Sequence, residues 1–315
     1  MAKCLVLGAT GFIGRHIVEE LTNRNHEVKA FGRHGEESLF KNNQLVEEVY
    51  GDFLNRSDLA SALNGAEYVF HFISTTTPAT AENDPLVDID TNIRMTVELL
   101  EEAVKWGTKK VIFASTGGAI YGINNDRSFS EVDLPQPISP YAIGKLTIEH
   151  YLHYYKVKHG LNSVSMRISN PYGEGQSLHR KQGVIPIFME NIYNDQPLTI
   201  LGDGTMVRDY IYVKDVANMI CEAFDKDTDK AVYNLGSGRG ATVNELVRLI
   251  EAITGKVAKL TYQPTPATFV QQSVLNIDQF KNDFGVEPRT SLDKGMRATW
   301  SYIVAEHEKE GMKID

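Results

Sequence analysis

Gly8-Ala9-Thr10-Gly11-Phe12-Ile13-Gly14 is the stretch whose reading decides the fold. It follows a compact apolar run, Lys3-Cys4-Leu5-Val6-Leu7, and opens residues 12–24, whose apolar positions recur with a helical period. A strand, a glycine turn and a helix in that order predict a dinucleotide-phosphate loop. Gly8 permits the tight turn, Gly11 lets backbone approach a pyrophosphate, and Gly14 lets helix and strand pack closely. Phe12 and Ile13 occupy the first helical turn beside the phosphates. The helix start offers N–H groups and the positive end of its dipole to them.

Working outward, Val28–Phe31, Val46–Tyr50, Tyr68–Ile73 and Lys110–Ala114 read as further strands. Residues 55–63 and 86–106 read as helices between them. This alternation predicts an α/β fold: a Rossmann-type, doubly wound parallel sheet with its ligand at the carboxyl ends of the strands. Beyond about residue 170, Pro, Gly and Asn punctuate the chain more often. The expected division is a dinucleotide-binding and catalytic domain over 1–170, interleaved with a smaller substrate lobe over 171–315. Residues 242–254 form a helix of that lobe, started by Thr242 and stopped by Gly255. The charged tail from His307 is expected to fray.

The bulk numbers narrow the function. The 315 residues carry 41 acids against 32 bases, a net charge of −9, and 42% are hydrophobic. There is no overall basic footprint for nucleic acid. No uninterrupted apolar stretch reaches membrane-spanning length, and no leader pattern precedes the first strand. Cys4 and Cys221 have no metal-ligand spacing and make no disulfide framework, so a reducing cytoplasm is expected and no metal is.

Ser139-Pro140-Tyr141-Ala142-Ile143-Gly144-Lys145 carries the chemistry. Ser139 can cap a helix and Pro140 suits its first position. Tyr141 and Lys145 then share a face at i and i+4. At roughly 5 Å and an effective dielectric near 20, an ammonium would favour the phenolate by about 3 kcal/mol, about two pKa units. That would bring the phenol towards the range of a general base.

With these motifs the chain resembles the extended short-chain dehydrogenase/reductase family, and within it the UDP-hexose 4-epimerases. The resemblance runs over nearly the whole chain, through Asn276-Ile277-Asp278 and Phe284-Gly285-Val286-Glu287-Pro288. It implies NAD as cofactor and a nucleotide-sugar substrate. Asp52 and Phe53, in Gly51-Asp52-Phe53, would meet the adenine end. Phe72, Ile73 and Ser74, in His71-Phe72-Ile73-Ser74, would line the cofactor, with Asn92 on the next helix. Tyr141 would be the base and Lys145 would hold the nicotinamide ribose.

In Ala114-Ser115-Thr116-Gly117-Gly118, the resemblance assigns Thr116 to the reacting sugar oxygen, with Ser115 as the alternative. Sugar 4,6-dehydratases place Asp-Glu after that threonine to carry protons in elimination. Gly117-Gly118 looks like the epimerase form. On the substrate side, Asn170 of Arg167-Ile168-Ser169-Asn170-Pro171-Tyr172-Gly173 and Arg208 of Leu201–Tyr210 would bind the diphosphate. A surface ion pair of Arg208 with Asp209 is the structural alternative. Ser273 stands where glucose-restricted epimerases carry a bulky tyrosine, which implies room for an N-acetyl group. A homodimer through helices 86–106 and 141–158 is implied, with Tyr151, Tyr154 and Tyr155 adding aromatic surface.

Two departures matter. NAD-selective relatives usually carry an acid after the second strand, and here Gly32-Arg33-His34 follows it. Arg33 could meet a 2′-phosphate, so NADP is a further expected ligand. A second phosphate-binding arginine is missing from Gln263–Phe269. The rival readings are a nucleotide-4-ketosugar reductase of the same fold and a non-enzymatic dinucleotide-sensing protein.

Overall fold

Seven parallel strands form the central sheet of the computed structural model, which describes residues 1–33, 38–123, 127–176, 183–265 and 270–312. They are β1 (Lys3–Leu7), β2 (Glu27–Gly32), β3 (Val46–Tyr50), β4 (Tyr68–His71), β5 (Lys110–Thr116), β6 (Asn162–Ile168) and β10 (Val232–Leu235). Their spatial order is β10-β6-β5-β4-β1-β2-β3. β1 and β4 are neighbours, yet the chain leaves them towards opposite edges. The crevice beyond their carboxyl ends is therefore the topological switch point, where ligands of such sheets bind.

Helices cover both faces. α1 (Phe12–Asn23) and α8 (Val213–Asp225) pack on one, α2 (Arg56–Leu63), α5 (Arg94–Lys105) and α6 (Pro140–His159) on the other. Strands covered on both sides read as near-continuous apolar runs. Leu5, Val6 and Leu7 of β1 are all fully buried, as that requires.

The predicted helix over 86–106 is broken. The segment is α3 (Pro78–Asn83), α4 (Pro85–Asp88), a π-helical turn over Ile89–Ile93, and then α5. Side chains cause the break. Thr77 and Asp84 cap the two short helices. Asp88 and Asn92 bond inward to the loop after β4 instead of lying on an open helix surface. That loop also begins earlier than predicted, since β4 ends at His71 and not Ile73.

The rest of the chain builds a second layer around its own core. β7 (Asn170–Tyr172), β9 (Val207–Tyr212), β11 (Gly240–Thr242) and β13 (Gln272–Ser273) form one small sheet. β8 (Leu198–Leu201) and β12 (Leu260–Gln263) pair beside α7 (Val184–Tyr193), α9 (Val243–Thr254) and α11 (Leu292–Met312). α9 has the predicted ends: Thr242 and Glu245 make a reciprocal capping box, and Gly255 closes it in the left-handed conformation. α8, β10 and α10 (Asp278–Phe284) belong to the first sheet although they follow residue 171.

The tail does not fray at His307. α11 continues to Met312, because His307 Nε2 donates to the Glu190 carboxylate at 2.8 Å and the ring stacks on Tyr193 at 4.1 Å. Tyr155 is not aromatic surface either. It is buried, with its hydroxyl on Glu101, whereas Tyr151 and Tyr154 are exposed.

Candidate active site

The phosphate loop is shaped by backbone contacts that exclude side chains. Gly8 has φ +85°, a conformation that favours glycine. Its N–H donates to Phe31 O at 3.1 Å, and its carbonyl accepts from Gly11 N at 2.9 Å. A Cβ on Gly14 would overlap the Gly8 carbonyl, so the close helix–strand approach requires glycine there. No side chain caps α1 at Gly11, which leaves the N–H groups at its start for a ligand. Phe12 and Ile13 stand half-buried at that start. This cradle fits a dinucleotide pyrophosphate.

The adenine end is open. Arg33 and Asp52 are exposed at the ends of β2 and β3, and Gly51 N donates to Gly32 O at 3.1 Å. His34 lies outside the described residues, as do 266–269 of the stretch lacking an arginine. Phe53 turns inward instead and packs on His71 at 5.4 Å. His71 is a core histidine. Burial, reinforced by the nearby Lys145 charge, pushes it down to about 3, so it is neutral.

Phe72, Ile73 and Ser74 follow, half-buried beside Gly8, and a Cβ on Gly8 would press on the Phe72 carbonyl at 3.1 Å. Asn92 is buried and committed to this loop. It accepts from Thr75 N and donates to Thr76 Oγ1 and Asp88 Oδ1, each at 2.9 Å.

α6 begins as its sequence predicts. Ser139 Oγ accepts from Ala142 N at 3.4 Å, with Pro140 in the first turn. Lys145 Nζ donates to Ala114 O on β5 at 3.0 Å. It lies 4.8 Å from the Phe113 ring centre and 5.7 Å from that of Tyr141. The pair therefore meets the end of β5.

Its electrostatics differ from the expectation. Burial pushes Tyr141 up to about 12, helped by the negative charge of Asp88. Burial lowers Lys145 to about 8, while Asp88 and Glu149 oppose that fall. The spacing correctly placed the two side chains on one face. It did not show that the ammonium turns to a backbone carbonyl, or that a buried carboxylate, Asp88, packs on the same helix at Gly144. Asp88 is the residue that sequence reasoning missed. Its available signal was Gly144, a glycine inside a helix.

Ser115 and Thr116 face opposite ways along β5. Ser115 Oγ donates to Glu149 Oε1 at 2.5 Å and joins a buried network. In it Arg167 is bidentate to Glu149 at 3.1 and 2.7 Å and donates to Tyr121 Oη at 2.9 Å. The Thr116 hydroxyl bonds to no described residue, so it is the one available to a ligand. A Cβ at Gly117 would overlap Leu275, whereas one at Gly118 would meet the Asn170 amide at an ordinary 3.6 Å.

The residues expected on the sugar side lie together across the small sheet. Arg208 on β9 is level with Ser273 on β13, and Asn170 on β7 is level with Tyr210 on β9. Asn170 Nδ2 donates to Asp209 O at 2.9 Å, and Ser273 Oγ donates to Gly118 O at 3.3 Å. Ser273 is thus buried against the turn after β5. Arg208 is half-buried, and burial lowers its pKa. It does not pair with Asp209, which faces the other way, fully buried. Asp209 accepts from Ser237 N and Oγ, each at 2.7 Å.

A surface hollow among Lys3, Glu27, Lys29, Val46 and Asn64 opens at the amino ends of the strands, the end remote from this chemistry. Among the described residues no helix is long and apolar enough to cross a membrane.

The NAD dependent epimerase/dehydratase family matches residues 4–236, from the first strand to the end of β10. The chain belongs to that family. Its cofactor is accordingly NAD, and the expected resemblance to extended short-chain epimerases holds. The UDP-glucose 4-epimerase of Thermotoga maritima, solved with UDP-glucose, is 35% identical. It superposes with a TM-score of 0.89 over 97% of this chain and 99% of its own. The Thermus thermophilus UDP-glucose 4-epimerase, solved with NAD, is 32% identical with a TM-score of 0.88, over 96% and 99%. A third similar protein is the Escherichia coli dTDP-4-dehydro-6-deoxyglucose reductase. It is 31% identical over 93% of this chain and 94% of its own.

Proposed function

We propose that the chain is a nucleotide-sugar 4-epimerase acting on UDP-hexoses. What supports this is the Tyr141–Lys145 face of α6, anchored by Lys145 on Ala114 O of β5, with the unbonded hydroxyl of Thr116 ending the same strand and Gly117-Gly118 following in place of acids. Bound NAD would supply an acceptor and donor of hydride for the sugar C4. Tyr141 Oη takes the proton of the 4-hydroxyl and returns it. Lys145 fixes the nicotinamide ribose, and Thr116 hydrogen-bonds the sugar 4-oxygen. Arg208 and Asn170 hold the diphosphate, suited to it as a guanidinium fork and an amide donor. On this reading 1–170 supplies the cofactor site and 171–315 most of the sugar site. The test is incubation with UDP-glucose, UDP-galactose and their N-acetyl forms, with products resolved by NMR. Absence of any inversion at C4 would refute it.

The Escherichia coli relative supports a second reading, reduction of a nucleotide-4-ketosugar. An epimerase leaves its cofactor unchanged, whereas a reductase consumes reduced cofactor in step with product. Absorbance of the reduced nicotinamide separates the two.

We also assign the protein to the cytoplasm, and to a homodimer through residues 86–106 (α4, the π turn and α5) and α6. Exposed Leu86, Ile89, Tyr151 and Tyr154 supply apolar surface on those elements. Light scattering tests the dimer, and a monomer at micromolar concentration would count against it.

A further inference from the structure

Asp209 is a carboxylate with no exposed surface, inside β9 and next to Arg208. Neighbours on a strand point to opposite faces, so its carboxylate lies behind the face that presents Arg208. Its Oδ1 accepts from Ser237 N and Oγ, each at 2.7 Å, and from Ser169 Oγ at 3.4 Å. Its Oδ2 accepts from Gly238 N at 3.2 Å and Leu275 N at 3.3 Å. Its backbone carbonyl accepts from Asn170 Nδ2 at 2.9 Å. One residue thus touches the turn after β10, the link from β6 to β7, and the chain just beyond β13. Gly236 makes room for it, since a Cβ there would overlap Oδ2.

The small sheet needs such a fastening. β7 has three residues and β13 two, and strands that short gain little from their own ladders. A buried carboxylate is costly unless both oxygens find donors, and an acceptor-only group suits a place where donors alone converge.

We propose that Asp209 is a positioning residue for the nucleotide-sugar site: from behind β9 it fixes the segments that carry Asn170, Arg208 and Ser273, and so sets where the Arg208 guanidinium meets the diphosphate. It rests on the reading of Arg208 as a diphosphate contact. Arg208 Nη1 donates to Val207 O at 2.8 Å and to Gln271 O at 3.4 Å. Gln271 directly precedes β13, and its carbonyl also accepts from Val207 N at 2.9 Å. Leu275, bonded to Asp209, follows the same strand by two residues. Releasing Leu275 and Ser237 would let β13 shift on β9 and carry with it the carbonyl on which the guanidinium rests. Ser273, whose Oγ donates to Gly118 O, would shift too. None of these hydrogen bonds involves the phosphate loop at 8–14.

The test is a double-mutant cycle, read by calorimetric titration of UDP into NAD-loaded protein. UDP carries the diphosphate without a sugar. The wild type, Arg208→Ala, Asp209→Asn and the double variant are compared. Asparagine keeps the shape but turns an amide donor on groups that are themselves donors. Asp209→Asn should weaken UDP by on the order of fivefold to tenfold when Arg208 is present, and by about twofold or less once Arg208 is alanine. NAD should stay bound in all four proteins. Equal losses in both backgrounds, or NAD lost from Asp209→Asn, would describe a residue that only supports the fold and would overturn the proposal. An unchanged UDP affinity would overturn it as well.

Should Asp209→Asn fail to fold, Ser237→Ala takes its place in the cycle. It removes one donor from Oδ1 and keeps the carboxylate, so the same non-additivity is expected at a smaller size, and equal losses or no loss again overturn the proposal. Failure of both to fold would make the contact a requirement of the fold alone and overturn it too. The two readings fail differently. If Arg208→Ala leaves UDP affinity unchanged, Arg208 is no diphosphate contact, and the inference falls with that reading. If Arg208→Ala weakens UDP but the cycle is additive, only the inference falls. Coupling in a protein that inverts no UDP-sugar would leave the inference standing and sink the epimerase reading.

Discussion

The cofactor side and the sugar side of the site are built in different ways. The cofactor side is made of contiguous segments: a seven-residue loop at 8–14 and one helical turn at 141–145. Backbone does much of its work, through N–H groups and glycines that admit close approach. The sugar side is made of three strand pieces, 170–172, 207–212 and 272–273, that meet only when the small sheet forms. On the proposed reading its work falls to side chains, Arg208, Asn170 and Ser273. A site made of local motifs announces itself in sequence. A site made by long-range pairing is legible only through register.

The largest effect should come from the cofactor side. Tyr141→Phe removes one oxygen and keeps the ring, so packing and NAD binding should persist. Turnover should fall by at least about 10²-fold, as expected for loss of a positioned proton-transfer group. Measuring kcat beside NAD affinity checks this, and a wild-type rate would end the assignment. Arg208→Ala tests the sugar side more gently. Loss of a charge-assisted fork on the diphosphate costs about 1.5–3 kcal/mol, roughly tenfold to a hundredfold. It should appear mainly in KM for the UDP-sugar, with kcat nearly kept. A fall in kcat alone would place Arg208 among the reacting groups and blur the contrast.

The same contrast explains what could be read in advance. β3 and the caps of α6 and α9 follow the sequence closely, because apolar runs, Ser139-Pro140 and Thr242…Gly255 act locally. The Tyr141–Lys145 face was legible for the same reason. The misreadings each involve a distant partner. The helix over 86–106 breaks because Asp88 and Asn92 bond to a loop more than ten residues away. Tyr155 is buried because Glu101 of α5 receives its hydroxyl. The tail is ordered because Glu190 and Tyr193 of α7 hold His307. The high pKa of Tyr141 comes first from burial and then from Asp88, 53 positions earlier in the chain, neither of which an i, i+4 argument reaches. On the sugar side, only the resemblance to known epimerases singled out Ser273.

Ser273→Tyr sharpens the comparison by closing part of the sugar side. Ser273 is buried beside the Gly118 carbonyl, so a phenol ring there must project into the space next to the turn after β5. If that space receives the sugar 2-substituent, the ring should clash with an N-acetyl group and spare a hydroxyl. Steric selection of this kind is worth about tenfold. The wild type should then interconvert both the acetylated and plain UDP-hexose pairs, and the variant should lose the acetylated reaction selectively. Equal losses for both pairs would move Ser273 out of the sugar pocket.

Arg33 should give the smallest effect, because it is the part of the cofactor side that is not built from backbone. It is exposed at the end of β2 and follows Gly32, whose position leaves no acid to claim the ribose diol. NAD presents hydroxyls there, and NADP a phosphate. A guanidinium can pair with that phosphate, but an exposed ion pair contributes only about 0.2–1 kcal/mol, at most about fivefold in affinity. Calorimetric titration of cofactor-stripped protein should therefore show NADP bound as well as NAD. Arg33→Ala should weaken NADP by a few-fold, leave NAD unchanged, and lose its effect at high salt as screening removes the pair. If NADP does not bind and the variant changes neither affinity, Arg33 is a solvated surface residue. The recognition of cofactor by this chain then rests on the glycine cradle and the residues after β3 and β4 alone.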